Sequence, residues 1–252
     1  MVITLLNFDN TLTCQEELRR FPYKVVEMGD IPGTRLYCSR DALREIAARL
    51  KKTKIGITLI GSGDFHYVSY LLASYVKTPF ALILFDNHAD LQPLPRGVAL
   101  SCASWLRRAI ELPALKKALL IGPRALPAGE KIPPQYLTKL IFLPKAYHTT
   151  LVRALKEVPP NVYISIDKDV LSPEEVITNW DQGALTLQEL LSALREIVRQ
   201  KNVIGADICG EPYFSPVSIL LPSTQKAVRK NSRANAMILK TLMPAFTYEK
   251  AS

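Results

Sequence analysis

The 252-residue sequence predicts an α/β fold in which a mostly parallel sheet is flanked by helices. Three observations lead there. Seven short apolar runs recur along the chain, and they are continuous, as expected of strands buried on both faces of a parallel sheet. Helical patterns separate most of these runs, the order produced by a doubly wound domain. Polar segments follow several of them, at the carboxyl ends where such sheets bind ligands.

The first strand is predicted over residues 2–8, VITLLNF. A helix over 41–51 leads to a strand over 55–60. A helix over 67–75 then precedes the run FALILF at 80–85. A helix over 101–109 is followed by strands at 118–121 and 140–143, a helix at 149–156 and a strand at 162–166. The helix over 187–199 opens on Thr186 with Glu189 three residues later, the spacing of a capping box. A strand over 203–206 and a C-terminal helix over 223–242 complete the series. Pro93, Pro95, Pro123, Pro127, Pro133 and Pro134 fall in connections. No internal repeat or low-complexity linker divides the sequence, so residues 1–252 are expected to form a single domain. The stretch NFDNTLT, residues 7–13, resembles the DxDGT motif of haloacid dehalogenase-like phosphatases. Asn7 stands where the nucleophilic aspartate is needed and cannot form an aspartyl-phosphate, so the stretch reads as a strand and a turn.

About half of the residues are apolar, enough for a sizeable core. The formal net charge of +9 speaks to solubility and steering, not to fold. Its densest cluster, KAVRKNSR at 226–233, reads as a solvated helix face. No aromatic interleaving accompanies it, and no nucleic-acid partner is expected. The four cysteines are far apart and form no CxxC pair, which fits a reducing cytoplasm and suggests neither a zinc knuckle nor a disulfide framework. The N-terminus lacks the basic region of a signal peptide, and no apolar stretch reaches the length of a membrane span. A soluble, cytoplasmic protein with no membrane partner is expected.

The chemistry gathers after the strands. FDNHADL, residues 85–91, places Asp86, His88 and Asp90 two apart, on one face of an extended segment. SIDKDVLSPEE, residues 165–175, does the same for Asp167 and Asp169, with Lys168 pointing the other way. GSGDFHYVS, residues 61–69, adds His66. Alone, each motif has a plain reading as a helix cap, a solvated turn or a structural histidine. If adjacent strands bring these faces together, four carboxylates converge. Two such charges about 4 Å apart repel by about 4 kcal/mol at an effective dielectric of 20, so the cluster needs cations. Carboxylates with two imidazoles suit hard-to-borderline divalent metals, Mn²⁺ first among them, and two ions can share bridging carboxylates.

These residues resemble the ureohydrolase family of arginase, agmatinase and formimidoylglutamase, over about residues 61–212. The family's DAHxD motif is similar to DNHAD, its SxDxDxxDP motif to SIDKDVLSP, and its GGDHS motif to GSGDFH, where Phe65 is an insertion. Its GGLT turn is similar to Gly183-Ala184-Leu185-Thr186, and its IGxR strand end to Ile121-Gly122-Pro123-Arg124. The resemblance implies a three-layer arginase-like fold and two Mn²⁺ ions held by His66, Asp86, His88, Asp90, Asp167 and Asp169. It implies hydrolysis of a linear carbon–nitrogen bond in a small guanidino or amidino compound, with a metal-bridging hydroxide as nucleophile, and a homo-oligomer. Asp90 would orient the hydroxide. The family's late glutamate, which pairs with the cationic substrate group, falls in GADICGEP, where Glu211 is the nearest candidate.

Besides the Phe65 insertion and the position of Glu211, about one residue off the family spacing, the sequence departs from the family in two further places, as a divergent agmatinase-like member would. SCASWLRRA, residues 101–109, stands where such enzymes have SHGTxxRRA, so Cys102 replaces a histidine that helps protonate the leaving amine. A thiol can do acid chemistry, and it can also be a small buried side chain. His148 is the one histidine left over and is expected at the surface or capping a helix. Ala125-Leu126-Pro127 offers no acid for a substrate amino group, which argues against arginine itself. Gln92 and Arg96 lie in the loop after the metal motif and could face the substrate's far end. Two other readings stay open: a catalytically retired subunit that keeps the fold for a binding or assembly role, and a deacetylase-like amide hydrolase with one zinc.

Overall fold

A computed structural model describes residues 3–53, 56–123, 132–215 and 217–247. The chain runs through β1 (Ile3–Asn7), β2 (Tyr23–Glu27), β3 (Tyr37–Cys38), α1 (Arg40–Leu50), β4 (Ile57–Ser62), α2 (Val68–Ser74), β5 (Phe80–Phe85), β6 (Leu100–Ser101) and α3 (Trp105–Ala109). It continues through β7 (Leu115–Ile121), α4 (Pro134–Leu137), β8 (Leu140–Leu143), α5 (His148–Lys156), β9 (Asn161–Asp167), α6 (Leu187–Gln200), β10 (Asn202–Glu211), α7 (Pro222–Leu242) and α8 (Pro244–Thr247). Eight strands form one sheet in the order β2-β1-β4-β10-β9-β5-β7-β8, and each neighbouring pair is parallel.

The continuous apolar runs are explained by two cores. In β5, Leu82 and Leu84 pack with Ile46 of α1, Leu71 of α2 and Trp105 of α3. Ile83 and Phe85, pointing the other way, pack with Leu155 of α5, Leu190 of α6 and Leu239 of α7. Successive residues of a strand face opposite sides, so a sheet covered twice has no polar face to leave out. The result is the three-layer α/β architecture expected. The Thr186 hydroxyl accepts from the Glu189 amide at 3.2 Å and the Glu189 carboxylate accepts from the Thr186 amide at 2.8 Å, so the predicted capping box opens α6.

Several elements differ from the sequence reading, among them the short β3, α4 and α8, which it did not include. β2 is an edge strand of mixed exposure, YKVVE, without a continuous apolar run to announce it. The predicted helix over 101–109 begins only at Trp105, because Leu100–Ser101 pairs antiparallel with Tyr37–Cys38. β10 continues to Glu211 instead of ending at 206, because β4 and β9 flank it and take up its backbone bonds. Lys226, Arg229 and Arg233 are exposed on α7 while Ala227, Asn231 and Ser232 are buried, so the basic cluster is a solvated helix face. No described helix is long and apolar enough to cross a membrane.

Candidate metal centre

β4, β10, β9 and β5 lie side by side in the middle of the sheet, and the acidic segments leave from their carboxyl ends. After β4, a 3-10 turn at Gly63–Phe65 absorbs the extra residue of the GSGDFH motif. Phe65 stacks on Phe8 with ring centroids 4.2 Å apart, which leaves His66 to turn inward. After β5 the chain is not extended as the alternation suggested. The His88 amide donates to Asp86 Oδ1 at 2.6 Å, and Asp90 takes a left-handed conformation with φ of 49°. Its carbonyl accepts from Leu106 N at 3.1 Å, tying the loop to α3.

All six expected ligand residues reach one cleft of about 210 Å³. His66 Nδ1 lies 3.3 Å from Asp86 Oδ2, 3.1 Å from Asp90 Oδ2 and 3.5 Å from Asp167 Oδ2. His88 Nδ1 lies 2.8 Å from Asp169 Oδ2 and 3.5 Å from Asp86 Oδ1. Donors bound to one ion at about 2.0–2.3 Å, at roughly right or tetrahedral angles, sit about 3–3.6 Å from each other. The spacings around His66 match that shell.

The hydrogen bonds behind His66 set its tautomer. Ser165 Oγ gives its proton to Asp207 Oδ1 at 2.7 Å, so at 3.0 Å it accepts from His66 Nε2. Nδ1 then turns a lone pair toward three carboxylates, an arrangement that calls for a cation among them. Asp86 Oδ2 is buried there without a hydrogen-bond partner among the described residues. Without a cation the cluster holds protons instead. Burial, followed by the charge of Asp169, pushes Asp167 up to about 7. Burial and the charge of Asp86 push Asp169 up to about 6. Hydrogen bonds to Asp169 and Asp86 raise His88 to about 11. The donor set therefore fits one or two divalent ions.

Other side chains complete the cleft. Trp105 Nε1 donates to Asp90 Oδ2 at 2.6 Å. Trp180 forms a wall, its indole N–H donating to Asp64 Oδ1 at 3.2 Å while Arg35 holds Asp64 Oδ2 at 2.6 Å. Cys102 and Gln92 also line the cleft, whereas Arg96 is exposed and is not among its lining residues. Burial pushes the Cys102 thiol up to about 12, with Asp90 adding to the effect, so it is a neutral thiol in this setting. His148 begins α5 and is exposed, as expected. The turn at 183–186 backs the site, with Gly183 N donating to Asp169 O at 2.6 Å. Arg124 and the 125–127 stretch lie outside the described residues.

The structure does not bring Glu211 to the cleft. Along a regular strand Asp207, Cys209 and Glu211 would share a face. Gly210 breaks the alternation with φ of 92°, and the pairing of β10 with β4 shifts register between Cys209 and Glu211. Glu211 instead forms a buried ion pair with Lys168 and accepts from Asn235 Nδ2 at 2.7 Å. Gly210 has no alternative, since a Cβ there would stand 2.5 Å from Asp167 Oδ1. Trp105, Trp180, Ser165, Asp207 and Cys209 are site neighbours that sequence reasoning missed. Ser165 was the most findable, two residues before Asp167 on the same face.

The Arginase family matches the chain over residues 6–211. An uncharacterized protein of Thermotoga maritima is 36% identical over 182 residues, covering 72% of this chain and 68% of the relative. The agmatinase of Bacillus subtilis is 34% identical over 163 residues, which are 59% of this chain and only 53% of that enzyme's length. Among solved structures, proclavaminate amidino hydrolase from Streptomyces clavuligerus shares the fold with a TM-score of 0.67 at 16% identity, over 97% of this chain and 92% of that one.

Proposed function

Because the chain belongs to the arginase family, we propose that it is a metal-dependent hydrolase cleaving a linear, non-peptide carbon–nitrogen bond of a guanidino or amidino compound. The observation that carries this reading is the meeting of four carboxylates and two imidazoles in one cleft at ligand spacing. His66, Asp86, His88, Asp90, Asp167 and Asp169 would hold two divalent cations, with Mn²⁺ the first to test. When bound, such ions lower the pKa of water and so supply a nucleophile near neutral pH.

The chain's own residues then divide the remaining tasks. Asp90, held by Trp105, orients the attacking water. Cys102 offers a thiol hydrogen on the cleft wall, where a departing amine needs a proton. Trp180 and Gln92 bound the substrate's space. In the sequence, Ala125-Leu126-Pro127 carries no acid where the family resemblance would place one for a substrate amino group, which favours a substrate that lacks that group.

The test is metal content per chain by mass spectrometry, on protein purified without chelator and reloaded with Mn²⁺, followed by urea and ammonia release across linear guanidines and amidines. Two ions per chain and turnover lost in Asp169→Ala are expected. No bound metal would overturn the reading. Full loading without turnover would favour the catalytically retired subunit, an alternative supported by the diversion of Glu211 into its pair with Lys168.

A further inference from the structure

The candidate ligands of the cluster fall into three overlapping groups that are not equivalent. Ligand atoms of Asp86, His88 and Asp169 form one group, nitrogen and oxygen only, with His88 partly exposed. Those of His66, Asp167 and Cys209 form another, all within 4.8 Å of one another and all buried. Cys209 sits on β10 directly between Gly61 of β4 and Asp167 of β9. Its Sγ lies 3.2 Å from Asp167 Oδ2, the same oxygen that lies 3.5 Å from His66 Nδ1. These are again the spacings of donors around one ion. His66 is shared with a third buried group, Asp86 and Asp90, in which the unpartnered Asp86 Oδ2 lies 3.3 Å from His66 Nδ1.

We infer that Cys209 is a metal ligand of the inner position, which therefore takes a zinc-class divalent ion through a thiolate. The inference rests on the metal-centre reading above and adds a sulfur donor to it. Thiolate with imidazole and carboxylate is the donor mix of zinc, whereas the outer position, built from nitrogen and oxygen, suits manganese. On binding, the Cys209 thiol releases its proton to solvent as the metal–sulfur bond forms, and no electron is transferred. The centre is then a mixed one, with a buried sulfur-bound ion beneath a harder ion at the cleft.

The probe is Co²⁺, because a cobalt–thiolate bond gives a near-ultraviolet charge-transfer absorption that carboxylates and imidazoles do not. The wild-type chain loaded with Co²⁺ should show that band. Cys209→Ser should lose it and bind zinc about tenfold or more weakly in chelator competition, while Cys102→Ser should keep it. Two cobalt ions per wild-type chain without the band would overturn the inference alone, leaving Cys209 a neutral donor to Asp167. A band that survives Cys209→Ser and disappears in Cys102→Ser would overturn it by assigning the sulfur to the cleft wall. A wild-type chain that binds no cobalt at all would overturn both this inference and the binuclear reading beneath it. If the Cys209 variant fails to fold, the wild-type and Cys102→Ser spectra read together still decide the matter: a band kept in Cys102→Ser supports the inference, and a band absent from wild type or lost in Cys102→Ser overturns it.

Discussion

Trp105 donates its indole N–H to Asp90 Oδ2 at 2.6 Å, and both side chains are buried. The bond ties the first turn of α3 to a residue held in a left-handed conformation, so the orientation of Asp90 depends on a helix outside the ligand motifs. Trp105→Phe keeps most of the ring's volume and removes the donor. It should weaken metal binding by about 10–100-fold, as loss of a partner behind a ligand commonly does. Competition with a chromophoric chelator measures this, and an unchanged affinity would show that Asp90 is held without it.

The Lys168–Glu211 pair separates a structural glutamate from a substrate-facing one. Both groups are fully desolvated, so removing one strands the other. Glu211→Ala should cost about 3–5 kcal/mol in urea unfolding, and a double replacement by Met and Leu should recover most of that loss. A Glu211→Ala chain with an unchanged unfolding midpoint but a raised KM would instead return the residue to the substrate.

These two contacts also show what the sequence can and cannot disclose. The sheet was readable because a parallel strand covered on both faces must be apolar throughout, as FALILF is. The six candidate ligands were readable because each follows such a strand. Phe65 disturbed the motif spacing of His66 without disturbing its position, since a 3-10 turn takes up one residue. Glu211 was misjudged for the opposite reason: one positive φ at Gly210 reverses the side on which the next residue emerges. Trp180 lies in no motif, and Trp105 and Asp207 lie inside matched stretches at positions to which the motifs give no role. Their relation to the site is a product of packing between distant segments, which periodicity does not encode.

Cys102 gives a sharper test of chemistry than of stability. It lines the cleft but is not among the proposed ligands. Cys102→Ala should lower kcat by roughly a hundredfold or more if the thiol passes a proton to the leaving amine, with metal content unchanged and KM little altered. Cys102→His should restore part of the loss. Equal kcat in wild type and Cys102→Ala would leave the thiol a filler of the cleft wall.

The stability of the metal-free chain should run against the usual acid sensitivity of proteins. Asp167 is raised to about 7 and Asp169 to about 6 from an ordinary value of 3.8. The folded chain therefore binds more protons than the unfolded chain between those limits, and its stability falls as pH rises through them. His88, raised to about 11, acts in the same direction: its contribution is complete below the unfolded value of 6.5 and is lost as pH climbs toward the folded one. A bound cation reverses the sign, because the carboxylates must be ionised to hold it and protons now compete with it. Urea midpoints at about pH 5 and about pH 8 should thus decline with rising pH in chelator and increase with rising pH in excess Mn²⁺. Asp167→Asn, which cannot titrate, should flatten the first trend. Parallel trends with and without metal would mean that the four carboxylates do not share one site.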